Sequence, residues 1–365
     1  KVFPDFNAVG QTNKNFIGVK TMKAVVKTKL GFGNIELMEV PEPHCASDSV
    51  KIEVKYAGIC GTDLHIYHDT YKSNPPVIIG HEFSGIVTDI GDKVKNIKKG
   101  DRVTVLPSTA ITCGVCEFCK SGNYMFCNER KSLGSGTDGG FTKYVIARED
   151  MVYRIPDHVT LEEAALTEPL ACAVQATEEL TTINVGDTVL LSGPGPIGLL
   201  CLTMLVLKGC KVIVAGTGAD SVRLDIAKKL GADVIVNVSN EDLKEIIIRE
   251  TNGSGVDVVV ECSGAPASIS SCLYALKKMG KYIQVGIVGK EITVDFDTVL
   301  YKQIQLFGSL AHSKKTWERV GKILEQRKIN IAPVITHKIP LRDWKEAFEI
   351  CESKLGGKVL LTYDE

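Results

Sequence analysis

The sequence predicts an α/β protein: a mostly β first part, followed by a doubly wound parallel sheet. Three observations carry that prediction. From Met22 to Val152 the chain reads as short strands and turns. From Val174 onward strands alternate with helical stretches, the pattern of a parallel sheet covered on both faces. The 365 residues suffice for two domains, at a prior of roughly 100–200 residues each.

A new register opens at Met22-Lys23-Ala24-Val25-Val26, so residues 1–21 are expected to be an extension. Val50–Tyr56 alternates apolar and polar side chains, as a half-buried strand does. Val77–Ile79 and Gly85–Ile90 flank Gly80-His81-Glu82, and Gly91-Asp92, Gly100-Asp101 and Gly139-Gly140 mark turns. In the second part Thr188–Leu191 is a short buried strand and Ile197–Leu207 an apolar helix. Lys211–Ala215 follows as a strand, Ser221–Leu230 as a helix, and Val234–Val236, Val256–Glu261 and Lys281–Gly286 continue the alternation. Another strand is expected near Phe307-Gly308-Ser309, then helices over Trp317–Gln326 and Leu341–Lys354. Gly357–Leu361 is strand-like and is expected to rejoin the first part. The expected domains are 22–173 with 312–365, and 174–311.

Composition narrows the function. A net charge of -1 gives no reason to expect nucleic acid or an acidic membrane as partner. The apolar run Leu199–Leu207 is interrupted by Thr203 and ends at Lys208, far short of the about 20 residues a membrane span needs. No targeting pattern is visible, so the expectation is a soluble cytoplasmic protein. Of twelve cysteines, Cys113, Cys116, Cys119 and Cys127 form C-x2-C-x2-C-x7-C. In a chain of this length such a cluster reads as a metal site before it reads as disulfides. Four thiolates close a tetrahedral zinc site and leave no open position, so its role is structural. The ligands alone would also suit an iron–sulfur cluster.

Three further motifs suggest an open metal site: Gly58-Ile59-Cys60-Gly61-Thr62-Asp63-Leu64-His65, Gly80-His81-Glu82 and Glu168-Pro169. A catalytic zinc needs about three protein ligands and one exchangeable position. Cys60, His81 and either Glu82 or Glu168 could supply them, although each residue taken alone is uninformative. Leu190-Leu-Ser-Gly-Pro-Gly-Pro-Ile-Gly198 gives G-x-G-x-x-G at Gly193, Gly195 and Gly198, after a strand and before a helix that opens at Pro196 and Ile197. In that context the turn is a dinucleotide site: its glycines allow a tight turn and close approach, and the helix start offers free amides to phosphate. An acidic residue ending the second strand would hold the ribose of NAD. Val214-Ala215-Gly216-Thr217 carries none, and Asp220 comes late. Gly216 is expected to open space and Arg223 to meet a 2′-phosphate, unless Arg223 is simply a solvated helix residue. NAD and NADP both stay open.

Taken together, these motifs resemble the zinc-containing medium-chain alcohol dehydrogenase family, in its polyol and threonine dehydrogenase branch. Gly100-Asp-Arg-Val103, Gly139-Gly-Phe141 and Glu168-Pro-Leu170 extend the match, which runs from Met22 to the C-terminus. The resemblance implies a GroES-like catalytic domain joined to a Rossmann domain, two zinc ions per chain, and a homodimer or homotetramer. It implies Cys60 and His81 as catalytic zinc ligands, with Glu82 and Glu168 as exchanging candidates. It makes Thr62 the hydroxyl that takes the substrate proton and His65 the group that passes it to solvent. Asp63 would orient the zinc-bound imidazole, unless it merely forms a turn. A zinc ion here would polarise the substrate oxygen and favour hydride release to the nicotinamide.

The expected activity is hydride transfer between a secondary alcohol, a polyol or sugar alcohol as in sorbitol or L-iditol 2-dehydrogenases, and NAD(P). Glu168 and the Cys-Gly-Thr-Asp string motivate it, and Gly61 leaves room beside Cys60. His65-Ile66-Tyr67 and Ile111-Thr112-Cys113-Gly114 resemble L-threonine 3-dehydrogenases instead. A zinc-stabilised scaffold without catalysis is the reading of another class, but a scaffold needs neither Cys60 nor Thr62. The same residues argue against a zinc-free quinone reductase.

Overall fold

The computed structural model describes residues 20–363; most of the expected extension lies outside them. Six strands form one parallel sheet: Val234–Asn237, Lys211–Gly216, Thr188–Ser192, Val256–Glu261, Leu276–Gln284 and Gln305–Gly308, in spatial order. Counted along the chain, that order is 3-2-1-4-5-6, the doubly wound arrangement. Strand side chains alternate between two cores, because successive residues face opposite sides of a sheet. Val189, Leu191, Val212 and Val214 pack with Leu199, Leu202 and Leu205 of helix Pro196–Lys208. Leu190, Ile213, Ala215 and Val259 pack on the other face with Ile246 and Leu273. With both faces covered, the strands can be near-continuous Val, Ile and Leu, as the sequence shows.

The remaining strands build a seven-stranded mixed sheet and a small three-stranded one. Strand Ser49–Gly58 is the hub: Glu82–Ile90, Tyr144–Arg148 and Lys358–Thr362 all pair antiparallel with it. Thus the strand-like C-terminal segment lies in the sheet of the first part. Val50, Ile52 and Val54 enter a core with Phe83, Phe141, Trp344, Phe348 and Leu361. The register sets Gly58 opposite both Glu82 and Leu360. Three strand ends therefore bring Cys60, Glu82 and Lys358 to one place.

The structure also adds helix Gly61–Tyr67, directly after Cys60, to the part that the sequence presents as strands and turns; beyond that part, helix Thr167–Val174 carries Glu168. The second helix packs on Pro196–Lys208 and on helix Lys314–Glu325. No helix among the described residues is long and apolar enough to cross a membrane.

Candidate functional site

The four-cysteine lobe is built around backbone donors. Cys116, Cys119 and Cys113 give their amides to the sulfurs of Cys113, Cys116 and Cys127 at 3.3, 3.4 and 3.4 Å. Such N–H···S bonds stabilise thiolates, and the amides of Val115 and Cys116 bring the Cys113 thiol down to about 7. Burial pushes the Cys119 thiol up to about 12, a cost that a cation would remove. All four ligand atoms lie within 4.8 Å of one another, and Cys113 Sγ is 3.9 Å from Cys119 Sγ. Zinc–sulfur bonds of about 2.3 Å at a tetrahedral angle set sulfurs about 3.8 Å apart. The lobe fits a closed zinc site.

The second constellation assembles Cys60, His81 and Glu82, whose ligand atoms also lie within 4.8 Å of one another. Its local geometry follows from the chain. Gly80 has φ +91, and a Cβ there would collide with the Phe141 ring at 2.2 Å, so only glycine lets the chain turn His81 inward. Asp63 does two things that the sequence presents as alternatives. Its Oδ2 accepts the Cys60 amide at 2.8 Å, bracing the start of helix Gly61–Tyr67, while Oδ1 lies 3.8 Å from His81 Nδ1. Burial raises the Asp63 carboxyl to about 6. Burial disfavours a charged His81 too, but the Cys60 thiolate and Asp63 outweigh it and raise that imidazole's pKa well above its ordinary value. A soft sulfur, an imidazole and a carboxylate in an electronegative pocket suit zinc.

The two glutamates each face a basic side chain of the protein. Lys358, 2% exposed, spends all three protons: on Glu82 Oε2 at 2.6 Å, on Glu82 Oε1 at 2.9 Å and on the Ile59 carbonyl at 3.0 Å. Burial opposes the lysine charge, yet Glu82 more than compensates and raises its pKa. Gly58 permits this pair, since a Cβ there would sit 2.3 Å from Glu82 Oε2. Glu168 stands across from His312, with Oε1 3.4 Å from Nε2. Burial raises the Glu168 carboxyl, but His312 and His81 outweigh it and hold it at about 2. Glu168 therefore lies outside the compact Cys60 group and is grouped with Cys172 and His312.

Thr62 and His65 lie on helix Gly61–Tyr67, three residues apart and so on one face. Thr62 Oγ1 is 3.7 Å from Cys60 Sγ. His65 Nδ1 is 2.9 Å from Thr70 Oγ1, and the imidazole is half-buried. A hydroxyl beside the metal ligands and an imidazole towards solvent can hand a proton outward.

The glycine turn lies at the C-terminal end of the first parallel strand, where the strand order reverses beside Val256–Glu261. Ligand crevices form at such reversals. Gly193 has φ +91 and packs on Ser263, and a Cβ on Gly198 would be 2.1 Å from the Gly193 carbonyl oxygen. Gly195 is different: a Cβ there would meet nothing within 4 Å. Its space lies at the start of helix Pro196–Lys208, where Pro196 and Ile197 begin the first turn. Gly195→Val should therefore raise the Kd for nicotinamide dinucleotide at least tenfold with little change in Tm. Gly198→Ala should instead destabilise the fold by about 1–3 kcal/mol through overpacking. Cofactor titration by fluorescence and thermal melts separate the two.

Two expectations about the ribose end need correction. Gly216 does not open space: it is buried, and a Cβ there would press on Pro194 at 2.9 Å and Leu224 at 3.2 Å. Arg223 is neither solvated nor free for a 2′-phosphate. It is 8% exposed, its Nε donates to the Gly356 carbonyl at 2.7 Å and Nη1 lies 3.5 Å from Asp220. Asp220 in turn accepts the amide and hydroxyl of Thr217 at 3.0 and 2.7 Å. Thr217 itself is exposed at the strand end. The sequence also leaves Glu261 unmarked. This buried carboxylate takes hydrogen bonds from the amides of Ser263 and Gly264, from Ser268 and from Gln284, and so fixes the turn against which Gly193 packs.

Comparison with known proteins agrees with this arrangement. Residues 46–157 match the alcohol dehydrogenase GroES-like domain and residues 196–326 the zinc-binding dehydrogenase family. Sorbitol dehydrogenase of Halalkalibacterium halodurans is 42% identical over 93% of this chain and 99% of its own. D-arabitol-phosphate dehydrogenase of Enterococcus avium is 40% identical over 90% and 94%. L-threonine 3-dehydrogenase of Pyrococcus horikoshii is 37% identical over 93% and 98%. Among solved structures, a zinc-binding dehydrogenase of Sinorhizobium meliloti bound to NADP superposes with a TM-score of 0.84 at 30% identity, covering 94% of this chain and 99% of that one. An alcohol dehydrogenase of Escherichia coli CFT073 complexed with NADH gives 0.84 at 29%, covering 94% and 100%.

Proposed function

The chain belongs to the zinc-containing medium-chain alcohol dehydrogenase family and is a zinc- and NAD(P)-dependent dehydrogenase of CH–OH groups; from that premise we propose that its substrate is a polyol, oxidised at a secondary hydroxyl. The observation that carries this reading is the space beside Cys60. A side chain at Gly61 would meet nothing within 4 Å, which leaves room for a chain of neighbouring hydroxyls. The polyol relatives support it, since sorbitol and arabitol phosphate stand in the names of two of them.

In this reading Cys60, His81 and Glu82 hold the catalytic zinc, with Glu168 as the exchanging carboxylate. Bound there, the ion supplies Lewis-acid polarisation of the substrate oxygen. The protein's own groups do the rest. Thr62 Oγ takes the hydroxyl proton and His65 carries it to solvent. Asp63 fixes the His81 ring, and the amides of Gly195 and Ile197 would hold the dinucleotide's phosphates at the helix start. With Asp220 committed to Thr217 and Arg223 to Gly356, neither a ribose-binding carboxylate nor a 2′-phosphate arginine guards the strand end. We infer that NAD and NADP are discriminated weakly.

The L-threonine 3-dehydrogenase relative supports a second reading, in which an amino alcohol occupies the same space. A panel of free polyols, a polyol phosphate and L-threonine, each with NAD and with NADP and followed at the nicotinamide absorbance, decides between them. Polyol turnover with either dinucleotide is the expected result. Turnover of threonine alone would replace the polyol reading, and turnover of no alcohol would leave the scaffold reading.

A further inference from the structure

Arg223 is a cation buried where the two large sheets approach each other. It sits on helix Ser221–Lys229, which follows the second strand of the parallel sheet. Its Nε donates to the Gly356 carbonyl at 2.7 Å, just before strand Lys358–Thr362 of the mixed sheet. Burying a guanidinium is costly unless its charge is used. Two sets of contacts, one on each side, show what it is used for.

On one side, the Gly356 carbonyl lies two residues from Lys358. Lys358 Nζ holds Glu82 at 2.6 and 2.9 Å and the Ile59 carbonyl at 3.0 Å. The carboxylate beside His81 and the residue before Cys60 therefore both hang on this lysine. The segment between has little slack. Gly356 and Gly357 are buried, and a Cβ on the first would sit 2.5 Å from Thr336 Oγ1, on the second 2.4 Å from the Val334 carbonyl oxygen. Interiors packed that closely pass on a displacement instead of absorbing it. On the other side, Arg223 Nη1 lies 3.5 Å from Asp220 Oδ1, and Asp220 Oδ2 accepts the amide and hydroxyl of Thr217 at 3.0 and 2.7 Å. Lys354 Nζ, from the same segment as Gly356, meets Asp220 Oδ1 at 3.6 Å. Thr217 stands exposed at the end of the second strand, where this fold seats the adenosine ribose of a dinucleotide. Cys351 shows that the two sides share one pocket: burial pushes its thiol up to about 12, while Lys358 and Arg223 pull it down and Asp63 and Glu82 push it up.

We propose that Arg223 is a positioning residue that couples the ribose end of the dinucleotide site to the catalytic metal ligands, by way of Gly356 and Lys358. A ligand seated against Thr217 orders the turn that carries Asp220 and Arg223. The Gly356 carbonyl and Lys358 are then held at a smaller entropic cost, and the brace on Glu82 and Ile59 tightens. Such coupling is reciprocal, so a metal ion at Cys60, His81 and Glu82 favours the dinucleotide by the same factor. It holds whichever alcohol is the substrate, because neither coupled ligand is the alcohol. Contiguous contacts motivate this route, and only a measured linkage establishes it.

The test uses the full chain loaded with zinc, and adenosine monophosphate as the probe. This nucleotide fills the ribose end and has no nicotinamide to reach the metal. Its Kd is measured by calorimetry in wild type and in Cys60→Ser, with loss of the catalytic ion confirmed by metal content, and again with Arg223→Met added to each. Losing the ion should weaken the nucleotide on the order of fivefold, the lower end of allosteric coupling. With Arg223→Met the two Kd values should agree within about twofold, the scatter of independent substitutions. An arginine that only supports the fold would lower Tm in both backgrounds and leave the fivefold ratio intact. Arg223→Lys keeps a cation beside Asp220, and serves where the methionine variant does not fold. It too should lose the ratio, since one ammonium cannot replace the planar fork that spans Asp220 and Gly356. Equal affinity in wild type and Cys60→Ser would overturn the coupling, and a ratio that survives the Arg223 substitutions would overturn its route.

Discussion

Cys60→Ser should abolish turnover and leave the fold standing. Cys60 is half-buried, and a serine hydroxyl can keep its polar neighbours, Thr62 Oγ1 at 3.7 Å and the His81 imidazole, so little packing is lost. Stability should stay within about 1 kcal/mol of wild type, as for substitutions away from core and network features. Activity rests on a different quantity. Polarisation by a bound metal contributes several kcal/mol of transition-state stabilisation. At about 1.4 kcal/mol per decade, its loss lowers kcat/KM on the order of 10³-fold or more. Cys116→Ser should invert the pattern. Cys116 caps the short helix Glu117–Lys120 through its sulfur and contributes one of four closing ligands. Its loss should lower Tm first, and the activity of the surviving folded fraction only afterwards. Paired melts and initial rates on the two variants check this. Equal stability losses would mean that the Cys60 cluster is structural too.

What made one of these sites readable in sequence and hid parts of the other is the distance over which each is assembled. The four cysteines span 15 positions and close on their own loop, so spacing alone announced them. The glycine turn was legible for the same reason: strand, turn and helix are consecutive, and each glycine answers a local steric demand. Cys60 and His81 were legible through short motifs, although only the sheet register shows why they meet. Lys358 was not. It reads as one polar residue in an apolar strand, and its partner Glu82 lies 276 positions away. His312 and Cys172 were missed likewise, because neither sits in a motif and their meeting depends on how two helices pack. Arg223 misled for the opposite reason. Its place one turn after the second strand suggested an outward-facing cation, but its actual partner is a backbone carbonyl 133 positions on. Helix Gly61–Tyr67 escaped notice because seven residues give too little periodicity to separate a helix from a turn.

The hidden ion pair yields the second large effect. Lys358→Met should destabilise the protein by about 3–5 kcal/mol, because it leaves the Glu82 carboxylate buried without its cation. The loss should depend on metal. An ion held at Cys60, His81 and Glu82 brings positive charge to the same carboxylate, so loading with zinc should recover part of the stability. The gap in Tm between zinc-loaded and chelated protein should therefore be wider in Lys358→Met than in wild type. Lys358 also donates to the Ile59 carbonyl, the residue before Cys60. Removing that brace from a metal ligand should lower kcat by about 10–100-fold, the usual toll of disturbing a ligand's support. Adding Glu82→Gln removes the buried charge as well. The double variant should regain most of the apo-state stability, since replacing both members of a buried pair is far cheaper than stranding one. It should not regain activity, because a carboxylate ligand has gone. Chemical denaturation of wild type, Lys358→Met, Glu82→Gln alone and the double variant, with and without zinc, measures the coupling. Additive losses would show that Lys358 and Glu82 act independently, and the account of how this sheet holds the catalytic ligands in place would then be wrong.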